Sequence, residues 1–148
     1  MAFRRYEPDR RRRGAASVET AVVIGPLLLL VFGVFEYGRY VMVRHLLDNA
    51  AREGARLAVV STNNKTTAEI QAKVSHFLAD QGLENVNIQV FRADPETKAN
   101  TGAWTNAAFG EAIAVSVSAQ YGALLPTLGI LPSTLPVSAT VVMRSEAN

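Results

Sequence analysis

Few residues of this chain have the type and spacing for chemistry. His45 and His76 both fall at helical positions, and neither has a second ligand at a metal-binding spacing such as that of HExxH. Serines and aspartates occur, but no nucleophile elbow or glycine-rich phosphate loop surrounds them, so the expectation is a protein that is not an enzyme. Asp94, Glu96 and Asn100 hint at calcium. They lack the glycine and the distal bidentate glutamate of a loop site, and the stretch reads as a solvated turn. The chain has no cysteine, which excludes a disulfide framework and a thiolate metal site. No motif calls for a metal or a cofactor. One carboxylate stands apart. Glu19 lies five residues past Gly14, at the mouth of the most apolar stretch of the chain.

The surroundings of Glu19 read as a membrane anchor. From Ala15 to Phe35 it is the only charge, and Thr20–Phe35 reads TAVVIGPLLLLVFGVF. Residues 15–35, at about 1.5 Å each, reach roughly 31 Å, enough to cross a hydrocarbon core. Six arginines against Glu7 and Asp9 give +4 up to Gly14, whereas nine Lys/Arg and eleven Asp/Glu leave the remainder at −2. The basic character therefore belongs to a short tail. With Tyr6 its one nearby tyrosine and a membrane-grade segment beside it, that tail is a poor nucleic-acid footprint. Arginines before an apolar span instead hold that end in the cytoplasm. A secretory signal peptide shares the pattern but ends at a small-x-small site, where this chain continues EYGRYVMVRH. Pro26 cannot donate to the carbonyl of Val22, so it predicts a kink, with Gly25 beside it adding freedom. Glu36-Tyr37-Gly38-Arg39-Tyr40 reads as an interfacial belt.

The elements that position this segment follow from periodicity. One helix is expected over roughly residues 16–60, greasy in its first half and amphipathic over 36–60. Arg44, Asp48, Arg52 and Arg56 recur at i,i+4, with Asp48 placed to bridge two arginines. Leu47, Ala51, Gly54, Ala55 and Ala58 form the opposing stripe of small residues, and Gly54 predicts close approach of another backbone. Thr66 and Glu69 fit a capping box, and Ile70, Val74, Phe77 and Leu78 mark a second helix ending before Gly82. The period then changes to two. Val86, Ile88 and Val90, then Ile113, Val115, Val117 and Ala119, then Val137, Ala139, Val141 and Met143 predict three strands. The expected fold is α+β: a long helix, a short helix and a small antiparallel three-stranded sheet. Two long loops join the strands, Ala93–Glu111 and Tyr121–Pro136. The second holds prolines that argue against a regular ladder, and it reads as a lid over the core or as a greasy loop meeting membrane or partner.

A basic leader ending in glycine, small residues, glutamate at the fifth position and then an apolar helix resembles the processing signature of type IV pilin-like proteins. In that family a membrane prepilin peptidase cuts after the glycine, here between Gly14 and Ala15. The resemblance implies that Glu19 meets the freed α-amine of its own or a neighbouring subunit. NAAREGARLAV, with Ala51, Arg52, Glu53, Gly54, Ala55 and Arg56 at its centre, resembles the TadE-like family, minor pseudopilins of tight-adherence (Flp) pilus systems. The proline-rich loop followed by ATVVMRSE is similar too. The major Flp pilin is shorter and has Glu-Tyr near the cleavage site, whereas Thr20 follows Glu19 here, so a TadE-like or a TadF-like minor component remains.

What the resemblance implies is a division into a cleaved leader (1–14), a transmembrane helix (15–35) and an extracytoplasmic domain (36–148). It further implies a single-pass protein of the bacterial inner membrane with a cytoplasmic N-terminus. Its partners would be the prepilin peptidase, other Tad pilins and pseudopilins, the inner-membrane assembly platform and membrane lipid, without nucleic acid. The competing reading is an unprocessed single-pass protein whose small domain binds an envelope partner. A membrane-anchored hydrolase would require His76 to meet an acid and a nucleophile in a cleft.

Overall fold

The computed structural model describes residues 10–60, 64–123 and 132–146. In chain order these form α1 (Arg10–Val60), α2 (Thr67–Leu78), β1 (Leu83–Ala93), β2 (Asn100–Gly102), a 3₁₀ turn (Trp104–Asn106), β3 (Ala112–Gly122) and β4 (Thr134–Arg144). The class is α+β as expected, but the sheet has four antiparallel strands, in the order β2-β1-β3-β4, rather than three. The chain divides into two compact units, Met1–Tyr37 and Gly38–Asn148.

In the first unit, α1 begins at Arg10, six residues before the expected start, because arginine is a good helix former and Gly14 interrupts the run only once. The helix continues through Pro26. Its side chains from Ala16 to Phe35 are exposed. An 18-residue window here has a mean hydropathy of 2.3 and none of it is buried, so by length and composition this is a helix that can cross a membrane.

In the second unit the helix turns amphipathic, and its small-residue stripe becomes core. Leu47, Ala51, Ala55 and Ala58 are wholly buried, with Val43, Ala50 and Val59 beside them. Opposite them lie Ile70, Val74 and Leu78 of α2 and Ile113, Val115, Val117 and Tyr121 of β3. The α2 capping box is formed: Glu69 N–H donates to Thr66 Oγ1 at 3.3 Å, and Thr66 N–H donates to Glu69 Oε2 at 2.8 Å. Phe77, expected in the apolar stripe, is exposed, and its ring carries the Lys73 ammonium at 5.3 Å. Position 77 lies one step around the wheel from the 70–74–78 row, so the row closes the core without it.

A bulge resets the phase of β1. Glu84 faces Gln120, yet Asn87 faces Ser118, so β1 spends one residue more than β3 over this stretch, with Asn85 at φ 51°. Leu83 and Ile88 therefore both pack on the core, although they are an odd number of residues apart. Val86, inside the bulge, is exposed rather than core.

The loop between β1 and β3 supplies the fourth strand. Asp94 Oδ1 accepts from Glu96 N–H (2.9 Å), Thr97 N–H (2.7 Å) and Thr97 Oγ1 (2.9 Å), and Lys98 takes φ 59°. These bonds hold the Asp94 carboxyl below its ordinary pKa, the Thr97 backbone N–H being the main cause. Of the calcium-like trio, Asp94 thus closes its own turn, and Asn100 lies in β2 with Oδ1 accepting from Gly102 N–H at 2.9 Å. The turn returns the chain as β2, whose three residues are all exposed and carry no apolar alternation. Beyond it Trp104 is 2% exposed, and its indole Nε1–H donates to Thr67 Oγ1 at 2.9 Å, fixing the loop to the start of α2.

The second long loop is shorter than expected. β3 runs on to Gly122 and β4 starts at Thr134, with Ala123 N–H donating to Ser133 O at 3.0 Å across the neck. Pro136 sits inside β4, opposite Gln120. An edge strand tolerates proline where its nitrogen faces away from the neighbour. Residues 124–131 of the segment read as lid or greasy loop lie outside the described residues.

Two outcomes test these contacts. Trp104→Ala removes a buried aromatic and should destabilise the domain by about 3–5 kcal/mol, with Trp104→Phe costing clearly less; denaturant unfolding of the detergent-solubilised chain measures both. The backbone N–H of Thr66, with Lys65 and the Thr66 hydroxyl, holds the Glu69 carboxyl below its ordinary pKa. A depressed folded pKa gives stability that is complete above the unfolded value of about 4.3 and is lost as pH falls through the folded value. Glu69→Gln should therefore flatten the fall in thermal midpoint on acidification, and an unchanged slope would refute the cap's role.

Candidate functional site: the signature segment of α1

The residues singled out in sequence share one helix but fall into two groups, one in each unit. In the first unit Gly14 and Glu19 are exposed on α1, and Ala15 contributes helical backbone between them. Among the described residues no side chain pairs with Glu19. Thr20, the neighbour that departs from the major-pilin pattern, folds its hydroxyl back onto the Ala16 carbonyl at 2.7 Å, a helix-internal bond that hides a polar group in an apolar segment. Gly25 has open space where a side chain would be, so no neighbouring atom in the chain demands glycine there. Pro26 removes one donor from the ladder at a point where the helix is continuous.

The bond between Gly14 and Ala15 lies inside helical backbone. A protease acting there would have to open that turn. Glycine makes opening cheaper, by about 1 kcal/mol relative to alanine.

The second group, Ala51–Arg56, divides by face. Ala51, Gly54 and Ala55 point into the core, whereas Arg52 and Arg56 are exposed. Arg52 Nη2 meets Asp48 Oδ2 at 2.9 Å. Arg56, one turn further on, has a different partner. It reaches back to Glu53 with two donors, Nε to Oε2 at 3.0 Å and Nη2 to Oε1 at 2.7 Å. Asp48 therefore bridges one arginine rather than two: of its two neighbours at i,i+4 spacing, Arg44 and Arg52, only Arg52 pairs with it.

Gly54 is buried for a reason that its sequence position only half conveyed. A Cβ placed on it would stand 2.6 Å from Val74 Cγ2 and 3.4 Å from Val115 Cγ1. Glycine admits valine side chains from α2 and β3 at one point, not the backbone of another element. Val74 is wholly buried and β-branched on a helix, so it has little freedom to withdraw.

The belt residues divide between the two units, with Gly38, Arg39 and Tyr40 in the second. Glu36 is buried, Tyr37 is exposed, and Arg39 and Tyr40 engage the far end of β3. Tyr40 meets Tyr121 edge-on at 6.4 Å, and the Arg39 guanidinium lies 4.9 Å over the same ring while donating to Gly122 O at 3.4 Å. Tyr121, assigned to a loop in sequence, is 1% exposed. Its alternation with Val117 and Ala119 was the available signal, since residues 113, 115, 117, 119 and 121 share one face. The two histidines fall on different helices, and neither belongs to a cluster of three His, Asp or Glu among the described residues.

Gly54→Ala should lower stability by a net of about 1–2 kcal/mol, overpacking outweighing the gain in helix propensity. Adding Val74→Ala should make the alanine at 54 tolerated or favourable, a coupling that a double-mutant cycle measures directly. Residues 14–56 match the family model of TadE-like proteins, the family that the same stretch resembles by its motifs. No curated protein and no solved structure matches the chain.

Proposed function

We propose that this chain, whose residues 14–56 carry the TadE-like segment, is a minor pseudopilin of a Tad (Flp) pilus system. In this reading α1 anchors it in the cytoplasmic membrane with the N-terminus inside, and the Gly38–Asn148 unit lies on the extracytoplasmic side. Its work is assembly rather than catalysis: helping to initiate, prime or cap the pilus. The observation that carries the reading is the coincidence of that family match with one helix holding both the processing signature and the apolar window.

The chemistry is that of one carboxylate in an apolar setting. A carboxylate at the centre of a bilayer helix costs roughly 2.5–3.5 kcal/mol on insertion scales, less near the interface. Prepilin peptidase, cutting after Gly14, removes the arginine-rich leader and frees the α-amine of Ala15. That amine has an ordinary pKa of about 7.7–8.0 and is largely cationic at neutral pH. Glu19 follows it by four residues, about one helical turn. It can pair with its own amine or with that of an adjacent subunit, and the second arrangement sets the axial stagger between subunits. Low dielectric strengthens either pair relative to water. The partners in this reading are the peptidase, other Tad pilins and pseudopilins, the assembly platform and lipid.

Mass spectrometry of the membrane form should find a chain beginning at Ala15 in cells with active prepilin peptidase. An intact leader in such cells would instead favour the unprocessed single-pass protein. Glu19→Ala should leave cleavage in place and reduce pilus assembly, while Gly14→Ala should block cleavage itself.

A further inference from the structure

The sheet has two outer edges, β1 beyond the short β2 and the whole of β4, and they are finished differently. Two bonds fix which way the backbone of β4 points. Ala123 N–H donates to Ser133 O at 3.0 Å and Ser145 N–H donates to Glu111 O at 2.8 Å, at opposite ends of the β3–β4 ladder. In an antiparallel pair, residues that bond the neighbour alternate with residues whose N–H and C=O point away from it. Both bonds fall on odd-numbered residues of the last strand segment, so Thr134, Pro136, Ser138, Thr140, Val142 and Arg144 face outward. Pro136, which has no N–H, takes one of these outward positions.

By the same alternation β3 turns its even-numbered residues to β1, and Ile88, Val90 and Arg92 face outward from β1. That edge is covered. Ile88 O accepts from Gln71 Nε2 at 2.8 Å, Arg92 O accepts from Thr101 Oγ1 at 2.9 Å, and Arg92 pairs with Gly102 of β2. The bulge at Asn85 bends what remains. On β4 the matching devices are Pro136 and Arg144, one near each end. Between them Ser138, Thr140 and Val142 hold outward N–H and C=O groups that no described residue meets. The side chains there are just as open: Ala139, Val141 and Met143 pack on the core from the α1 face and remain half-buried. On the other face, Thr140 Oγ1 lies 2.9 Å from Ser116 Oγ.

We infer that the β4 edge from Ser138 to Arg144 receives an extended segment of a partner polypeptide as a further, antiparallel strand. A row of alternating donors and acceptors is met in full only by another extended backbone, and antiparallel pairing is the stronger geometry. The flanking side chains set the chemistry of that segment. Every second residue is apolar, to lie beside Ala139, Val141 and Met143, and hydroxyl residues come between, beside Ser138 and Thr140. Pro136 closes one end and limits the added strand to about seven residues. A second copy of the chain is the poorer occupant. Two copies paired antiparallel through β4 are related by an axis normal to the sheet, which reverses the run of α1 in one of them. Chains anchored in one membrane cannot meet that way; this choice of occupant, though not the open edge, rests on the anchoring proposed above.

The test titrates ¹⁵N-labelled full-length chain in detergent micelles with acetyl-Ser-Thr-Val-Thr-Val-Thr-Lys-amide. Two further versions of the peptide are N-methylated, one at its threonines and one at its valines. Laid antiparallel with its valines on the α1 face, the peptide turns its threonine N–H groups toward β4 and its valine N–H groups away. The parent and the valine-methylated peptide should therefore give saturable shifts at the amides of Ser138, Thr140 and Val142, and the threonine-methylated peptide none. Thr140→Pro deletes an outward N–H and no bond to β3, and should weaken the parent peptide about tenfold. Thr140→Val should leave its binding unchanged. An unmoved Trp104 indole resonance shows that each variant is folded; if Thr140→Pro fails that check, the methylated pair decides alone. No shift with the parent, equal binding by both methylated peptides, loss with the valine-methylated one, or undiminished binding to Thr140→Pro would each overturn the assignment. So would shifts at these amides that grow with chain concentration in the absence of peptide, which mark a second copy as the occupant.

Discussion

The domain depends on how closely three elements meet at Gly54. A helix with an ordinary side chain there would hold α2 and β3 apart, and the alanines at 51, 55 and 58 would line a gap instead of a core. With glycine, two valine side chains from different elements enter the space that its missing Cβ leaves. Dispersion and apolar burial are then gained against α2 and β3 at once. The cost is a residue that weakens the isolated helix by about 1 kcal/mol. Tertiary contact has to exceed that, and the wholly buried Val74 and Val115 are the contacts that do so.

The same geometry explains why the charges of α1 pair along the helix rather than across the domain. Once the small residues face inward, Asp48, Arg52, Glu53 and Arg56 are left toward the outer side, where Arg52 pairs with Asp48 and Arg56 with Glu53. Exposed pairs of this kind contribute a few tenths of a kcal/mol each and set no fold. The motif AREGAR thus holds two kinds of information. Its Ala and Gly positions specify packing, and its Arg and Glu positions specify a solvated surface with locally satisfied charge.

Much of this was legible in sequence wherever a period could be read over several residues. The core stripe of α1, the cap and the 70–74–78 row of α2, and the alternation of β3 all rest on repeats long enough to declare a face. What could not be read was decided by single residues acting at a distance. Trp104 stands alone in a polar stretch, and only the tertiary partner Thr67 reveals that it belongs to the core. β2 has no apolar pattern because it is held by the Asp94 turn and by backbone pairing to β1. The bulge at Asn85 changes which face Val86 occupies, and no composition marks that change. Pro136, which argued against a ladder, is accommodated because β4 is an edge strand, a fact that strand order alone reveals. For the signature segment, residue types at 14, 15 and 19 were visible, but the continuity of helix across the Gly14–Ala15 bond was not.

That continuity bears on how the two demands that the proposed anchoring and processing would make of α1 are reconciled. A segment meant to sit in lipid gains from uninterrupted backbone hydrogen bonding, because no water replaces a missing partner. A bond that the proposed processing would cut gains from a turn that opens readily. Gly14 lies at the polar margin, where water can satisfy an opened turn, and the long apolar run follows without another charge after Glu19 until residue 36. Placing the weak turn outside the apolar window and the carboxylate at its mouth keeps both requirements local. A glycine of the same low helix propensity at position 54 serves the opposite end, where it is buried and its flexibility is suppressed by the valines packed against it. One residue type therefore does two different jobs in one helix, and the surroundings decide which: solvent on one side, a close-packed pair of β-branched side chains on the other.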